Sequence, residues 1–280
     1  MSRRSVQIYG PGSNAPVTVR AGSLQVSEYM AEVAAGNVPG STVWKAMGEF
    51  EGGLVIAAGV DVCRSYDFTP DGPDRLYTPD SAGEQMTVVS ESTEDDAVGG
   101  TGVRTLRLYY IDAAGAEQTE DITMDGQVEV DTIATDIRFV NDMHALTVGT
   151  NGVSVGNIAV YVAGSTIPLT LTQMIAAGGN KSLVPHRMVP LGKTLILRGW
   201  HCSEAQGKRC IFRIRSTDMY GVLIPGVFCF KDTSYVNGNH SGHVPLAVPI
   251  PELSIVKVTY WADAIGAEGS CSWTGELRDE

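Results

Sequence analysis

Two short stretches carry residue types that hold metal ions. His240-Ser241-Gly242-His243 sets two imidazoles three residues apart in a Gly/Asn-rich run that follows Asp232. Zinc takes four ligands, and no further Cys or His lies close by in sequence, so this spacing on its own is a weak metal candidate. Glu91-Ser92-Thr93-Glu94-Asp95-Asp96 offers hard carboxylate oxygens, with Asp95 and Asp96 as the calcium candidates. It lacks the internal glycine and the fixed alternation of an EF-hand loop, so a solvated acidic loop is the expected outcome. His144, His186 and His201 stand apart from both stretches. The sequence therefore predicts no resident metal and no cofactor.

Catalytic patterns are equally sparse. The chain has no Gly-x-Ser-x-Gly elbow, since Gly40-Ser41 and Gly164-Ser165 lack the framing, and neither a P-loop nor a dinucleotide fingerprint occurs. Paired glycosidase carboxylates meet in space rather than in sequence, but the acids here concentrate in turns and on outward strand positions. The five cysteines, Cys63, Cys202, Cys210, Cys229 and Cys271, are odd in number and widely spaced, which predicts buried thiols rather than a zinc ribbon or a redox pair. The expectation is a protein that is not an enzyme.

Charge is where the chain has direction. The net charge is −12, and twelve acids between Glu91 and Asp136 face only Arg104 and Arg107. Between Lys181 and Arg215 the balance inverts, with eight bases against Glu204. Such polarity sets orientation when copies of a protein meet. The candidate interface residues are Arg209, Arg213 and Arg215 on the basic side and Glu117, Glu120 and Asp121 on the acidic side. The competing expectation is that both sets are simply solvated strand faces. Overall acidity, and a basic stretch without an interleaved aromatic platform, argue against a nucleic-acid partner. Trp200, Trp261 and Trp273 would either line a sugar-binding face or pack in a core, the commoner fate of tryptophan.

The elements that must position these residues are strands. Thirty-two glycines, 13 prolines, 43% hydrophobic and 19% charged residues describe an ordered, turn-rich chain. Thr105 to Tyr110 alternates, placing Leu106, Leu108 and Tyr110 on one face and Thr105, Arg107 and Tyr109 on the other. The chain then turns through Asp112 to Ala116 and returns through Glu120 to Met124, an amphipathic hairpin. Turn signals recur about every ten residues, the rhythm of an antiparallel sandwich. Gly149-Thr150-Asn151-Gly152 adds an Asn-Gly hairpin cue. One helix is expected, capped by Ser23, with Val26, Met30 and Val33 on one face and Gly36 as its stop.

The expected fold is mainly all-β: two antiparallel β-sandwich or jelly-roll-like domains preceded by an N-terminal arm and one short helix. Residues 1–84 hold arm, helix and a long connecting loop. Residues 85–163 form the acidic first domain and residues 164–280 the second, with basic strand faces. The N-terminal stretch lacks the apolar run of a secretory signal, and no stretch approaches the roughly 18 to 20 apolar residues that span a bilayer, so neither export nor a membrane is expected.

Three segments carry a resemblance: GGTGVRTLRLYYID with EQTEDITMDG and VNDMHALTVGTNGVSVGNIAV, MVPLGKTLILRGWH, and Tyr29 to Ala34 with Val38-Pro39-Gly40. Over about two thirds of the chain they resemble uncharacterised structural proteins of tailed bacteriophages, especially aquatic ones. These motifs are glycine and turn patterns without chemistry. The resemblance implies a virion component made in the host cytoplasm, assembling as a homo-oligomer with other virion proteins such as the major capsid or tail proteins. Capsid decoration at the head surface is the first expectation; a tail, baseplate or neck component is the alternative. A module binding host-surface glycan through loops such as Tyr235 to His243 is the competing class.

Overall fold

A computed structural model describes residues 29–51, 81–165, 171–237, 241–262 and 267–280. Ser23, Val26, Cys63 and His240 lie outside the described residues. Within them the chain is almost entirely antiparallel strands, as its alternation requires. The one helix, α1 (Tyr29–Ala34), buries Val33 and stops at Gly36, whose φ of 74° is open to a residue without Cβ.

Eight strands make one unit. β1 (Ser41–Glu51), β9 (Arg187–Met188), β10 (Lys193–Glu204), β11 (Arg209–Ser216), β14 (Cys229–Asn237), β15 (Ser241–Ile250), β16 (Ile255–Ala262) and β17 (Glu268–Asp279) form two four-stranded sheets, ordered β1-β17-β10-β15 and β14-β11-β16-β9. A small hairpin, β12 (Asp218–Met219) with β13 (Val222–Leu223), rides on the connection from β11 to β14. Inward residues of both sheets share one core, including Leu195, Leu197, Trp200 and Trp273 from the first and Phe212, Ile214, Val258 and Tyr260 from the second. Pro249 sits on β15, an edge strand, the position in a sheet where proline is tolerated.

The remaining strands form a second unit, carried on the connection from β1 to β9. β5 (Val130–Asp131), β2 (Met86–Ser90), β7 (Ile158–Val162) and β8 (Leu171–Ile175) make one sheet in that order, and β4 (Glu117–Thr123), β3 (Val103–Asp112) and β6 (Ile137–Val148) the other. The β3–β4 hairpin has the expected register: Leu106, Leu108 and Ile122 are buried against Met86, Val88 and Val160 of the facing sheet.

Several expectations change. β1 belongs to the sheet of the C-terminal strand, with Ser41 opposite Arg278 and Glu51 opposite Glu268, rather than to a preceding arm. β8 pairs with β7, so the sheet of the inserted unit continues past residue 163. β6 runs unbroken from Ile137 to Val148. Gly149 to Gly152 does turn, with Gly152 N–H donating to the Gly149 carbonyl, but it leads from β6 to β7, which lie in different sheets. That turn is therefore not a hairpin. Alternation identifies strands and faces but is blind to pairing partners hundreds of residues away.

Candidate functional site: an inter-unit cleft and a basic aromatic face

The two units are joined by a β-bulge. Along β3 and β6, Tyr109 lies opposite Asp142 and Tyr110 opposite Val140, which leaves Asn141 as the extra residue. Its amide is thereby aimed at β9: Nδ2 donates to the Met188 carbonyl at 3.1 Å, and Oδ1 accepts from the Met188 N–H at 2.7 Å. Around this pair Ile111, Phe139, Met188 and Ile255 form a small cluster drawn from both units. At the tip of the β3–β4 hairpin, Gly115 (φ 85°) accepts from Leu191 N–H at 2.8 Å. A Cβ there would stand 2.9 Å from Leu191 Cβ and 3.0 Å from Leu253 Cδ2, so the close approach needs glycine.

Beside the junction lies a cleft of about 700 Å³. One wall is α1 and β1, with Val33, Trp44 and Lys45; the other is the outer face of β3, β4 and β6, with Tyr109, Glu117, Asp142 and His144. At its base Arg187 is 3% exposed; its guanidinium reaches Asp142 Oδ2 at 3.0 Å and donates to the His186 carbonyl at 2.7 Å. Burial pulls Arg187 below the usual arginine range and Asp142 opposes the shift. Lys181 also reaches Asp142, at 2.9 Å, so that one carboxylate answers two cations. Tyr109 and His144 pack ring to ring at 5.3 Å. Glu117 is reachable by water yet stands between the two walls; this partial desolvation raises its carboxyl, while Lys193 pulls it down.

A second surface lies on the eight-stranded unit. On β11 the inward Cys210, Phe212 and Ile214 are fully buried, and Ile211, Arg213 and Arg215 point to the outer face, as the alternation requires. Cross-strand register sets Ile211 between Tyr235 and Trp261, and Arg215 between Phe230 and Lys257. Arg213 and Arg215 lie over the Phe230 ring at 5.5 and 4.6 Å, and Lys257 over Phe228 at 3.9 Å. This is an interleaved aromatic and basic face, absent from the linear reading because its aromatics come from β14 and β16. Lys257 is itself 1% exposed although it points outward. Phe230 and Tyr235 are 61% and 71% exposed, and Tyr220, on the turn between β12 and β13, is 97% exposed. Trp261 Nε1 is buried there without a hydrogen-bond partner among the described residues.

The acidic candidates fare differently. Asp121 is held by Arg107 through two hydrogen bonds at 2.7 and 2.8 Å, and Glu120 accepts from Ile133 and Ala134 N–H. Both spend their charge inside their own unit, whereas Glu117 faces the cleft. Asp125 and Asp136 remain exposed, with no side-chain hydrogen bond among the described residues. Arg209 stands exposed at the start of β11, opposite Asn237.

Asp95 is wholly buried and accepts from Ser90 Oγ at 2.6 Å, Val103 N–H at 2.8 Å, and Val155 and Gly156 N–H at 2.9 Å each. Its oxygens are occupied by protein donors, so it serves as a structural tie. Asp96 accepts from Val98 N–H at 2.8 Å. His243 lies on β15, opposite His201. Among the described residues no three His, Cys, Asp or Glu side chains gather as a metal site would require. Cys202, Cys210 and Cys271 are buried and Cys229 is half-buried, and burial pushes the Cys202 thiol up to about 12. Trp200 and Trp273 are core residues, each 1% exposed. None of the described helices is long and apolar enough to cross a membrane.

Linear inspection did not single out Asn141, Asp142, Arg187, Lys181, Tyr109 or Trp44. One signal was present: Asn141-Asp142 interrupts the apolar run Phe139-Val140 before Met143, and a polar pair inside a strand must find partners.

No family model and no curated protein matches this chain. Among solved structures it is similar to two of infectious bursal disease virus. The Gx strain structure is 9% identical, with 85% of this chain and 71% of that chain covered and a TM-score of 0.23. The Gt strain structure is 9% identical, with 90% and 77% covered and a TM-score of 0.20. Likenesses this distant do not establish a shared architecture.

Proposed function

We propose that this chain is a non-enzymatic structural protein of a virus particle, of the tailed-bacteriophage type its sequence resembles, assembling as a homo-oligomer on the capsid surface. The observation that carries the assembly reading is the outer face of β14-β11-β16. It combines Arg213 and Arg215 stacked on an exposed Phe230 with the exposed Tyr235, on a molecule whose net charge is −12. Exposed aromatic rings flanked by arginines fit a docking surface. Its cations complement the acid-rich inserted unit of a neighbouring copy, where Asp125 and Asp136 are the exposed acids to meet it.

The strand order supports the particle reading. Numbered one to eight along the chain, the strands of the large unit pair one with eight, two with seven, three with six and four with five, and the eighth and third, and the seventh and fourth, close the two sheets. A folded ribbon rolled in this way is a jelly roll, an architecture shared by viral capsid domains, lectins and cupins. Since fold alone does not assign function, this order supports the reading without carrying it.

The test is oligomeric mass. Light scattering behind size exclusion is expected to give a multiple of the chain mass that falls as salt rises. The double change Arg213→Glu with Arg215→Glu is expected to give the monomer, and unchanged mass in that variant would sink the assembly reading. Quantitative mass spectrometry of purified particles then separates the sites: a copy number matching the capsid lattice supports decoration, and a copy number in the single or low double digits places the protein in tail, baseplate or neck.

A further inference from the structure

We propose that the cleft between α1–β1 and the outer face of β3, β4 and β6 binds a carboxylate-bearing sugar unit of an acidic polysaccharide. At about 700 Å³ it falls within the ~300–1,000 Å³ typical of small-molecule sites. It also lies where two units meet, a usual place for such sites. The reading concerns this cleft alone and does not depend on how the chain assembles.

The lining selects the ligand class. Trp44 on one wall and the Tyr109–His144 ring pair on the other supply the flat apolar surfaces on which the C–H face of a pyranose ring packs. Around them the polar groups are discrete rather than continuous, which suits separate hydroxyls. Glu117 accepts from a sugar hydroxyl.

Charge then separates acidic sugars from neutral ones. The carboxylate of Asp142 is already answered by Arg187 and Lys181, so the cleft adds no unbalanced anion there. Lys45 is exposed at the rim with no ion-pair partner among the described residues. A ligand carboxylate placed between Lys45 and Lys181 would gain charge-assisted hydrogen bonds that a neutral sugar does not offer. Glu117 in the opposite wall opposes a chain with a charge on every unit in close succession, such as a polyphosphate.

The experiment titrates the whole chain with trigalacturonate, trimannuronate and sialyllactose, with galactotriose, inorganic phosphate and a Glu hexapeptide as comparators, by calorimetry and tryptophan fluorescence. At least one acidic saccharide is expected to bind about tenfold or more tightly than galactotriose, since a hydrogen bond to a charged group contributes that much discrimination. Lys45→Ala with Lys181→Ala is expected to remove that preference, and Tyr109→Ala to weaken acidic and neutral sugars alike; circular dichroism confirms that both variants are folded. Arg213→Glu, at a residue that does not line the cleft, is expected to bind as the parent does. Binding to none of the three acidic saccharides, an undiminished preference in the lysine double variant, or tighter binding of phosphate or the hexapeptide would each overturn the proposal.

Discussion

Asp95 in the inserted unit and Glu276 in the eight-stranded unit are both fully buried carboxylates, yet they are satisfied in opposite ways. Asp95 takes neutral donors, three backbone N–H groups and one hydroxyl, and thereby ties the loops at residues 90 to 103 to the turn at 155 and 156. Glu276 takes mostly charged donors: Arg198, and Arg278 at 2.9 Å, together with Tyr29 Oη at 2.7 Å and Ser41 Oγ at 2.9 Å. Asp95 closes loops within one unit. Glu276 fastens α1 and the start of β1, more than 200 residues earlier, onto the far end of the chain. A local tie shapes a surface, and a long-range tie decides whether two termini belong to one unit.

Removing each tie sharpens that contrast. The largest effect is expected from Asp95→Ala, which leaves three buried donors, Ser90 Oγ and the Val103 and Gly156 N–H groups, without an acceptor; at about 1–3 kcal/mol each, a loss of about 4 kcal/mol or more is expected. Chemical denaturation should show the inserted unit unfolding first. An unaltered midpoint would show that water replaces the carboxylate.

Glu276→Gln comes next, at about 3 kcal/mol, because Arg198 and Arg278 lose their counter-charge. Here pH adds a second reading. Burial pushes the Glu276 carboxyl up, but the hydrogen bonds from Arg198, Tyr29, Arg278 and Ser41 outweigh it and hold the group down at about 2. A depressed carboxyl contributes stability that is present above its ordinary value of 4.5 and is lost as pH falls toward 2. The gap between parent and variant should therefore narrow across that window in acid denaturation. A constant gap would remove the ionic account of this tie.

Gly115→Ala tests the junction between the units. The positive φ and the contact with Leu191 together should cost about 1–2 kcal/mol. Splitting of a single thermal transition into two is the expected sign, since the nearest atoms that a Cβ at 115 would meet belong to Leu191 and Leu253 of the eight-stranded unit. The smallest effect is expected from Asp121→Asn, an exposed partner of Arg107; its melting temperature should match the parent within error. A clear drop would mean that the hairpin face is covered by another molecule.

Much of the strand content was legible because alternation is a local property of the backbone. Leu106, Leu108 and Tyr110 face the core, and Arg213 and Arg215 face outward, as their positions require. Lys257 obeyed the alternation and is buried all the same, since Phe228 lies over it. The candidate cleft was not legible. Its walls come from positions near 44, 109, 142 and 181, which meet through the β3–β6 ladder, the bridge of Lys181 to His144 and the contact of β9 with Asn141.

The sequence by itself determined the all-β class, the faces of the strands, the hairpin at residues 103 to 123 and the uneven distribution of charge. Each follows from side-chain type and a two-residue period, both read from neighbours. Tertiary structure alone decided that β1 pairs with β17, that the inserted unit interrupts the larger one, and that Arg213, Arg215, Phe230 and Trp261 share a face. Those outcomes depend on which apolar faces find each other across the core, a choice made by packing and loop closure over the whole chain.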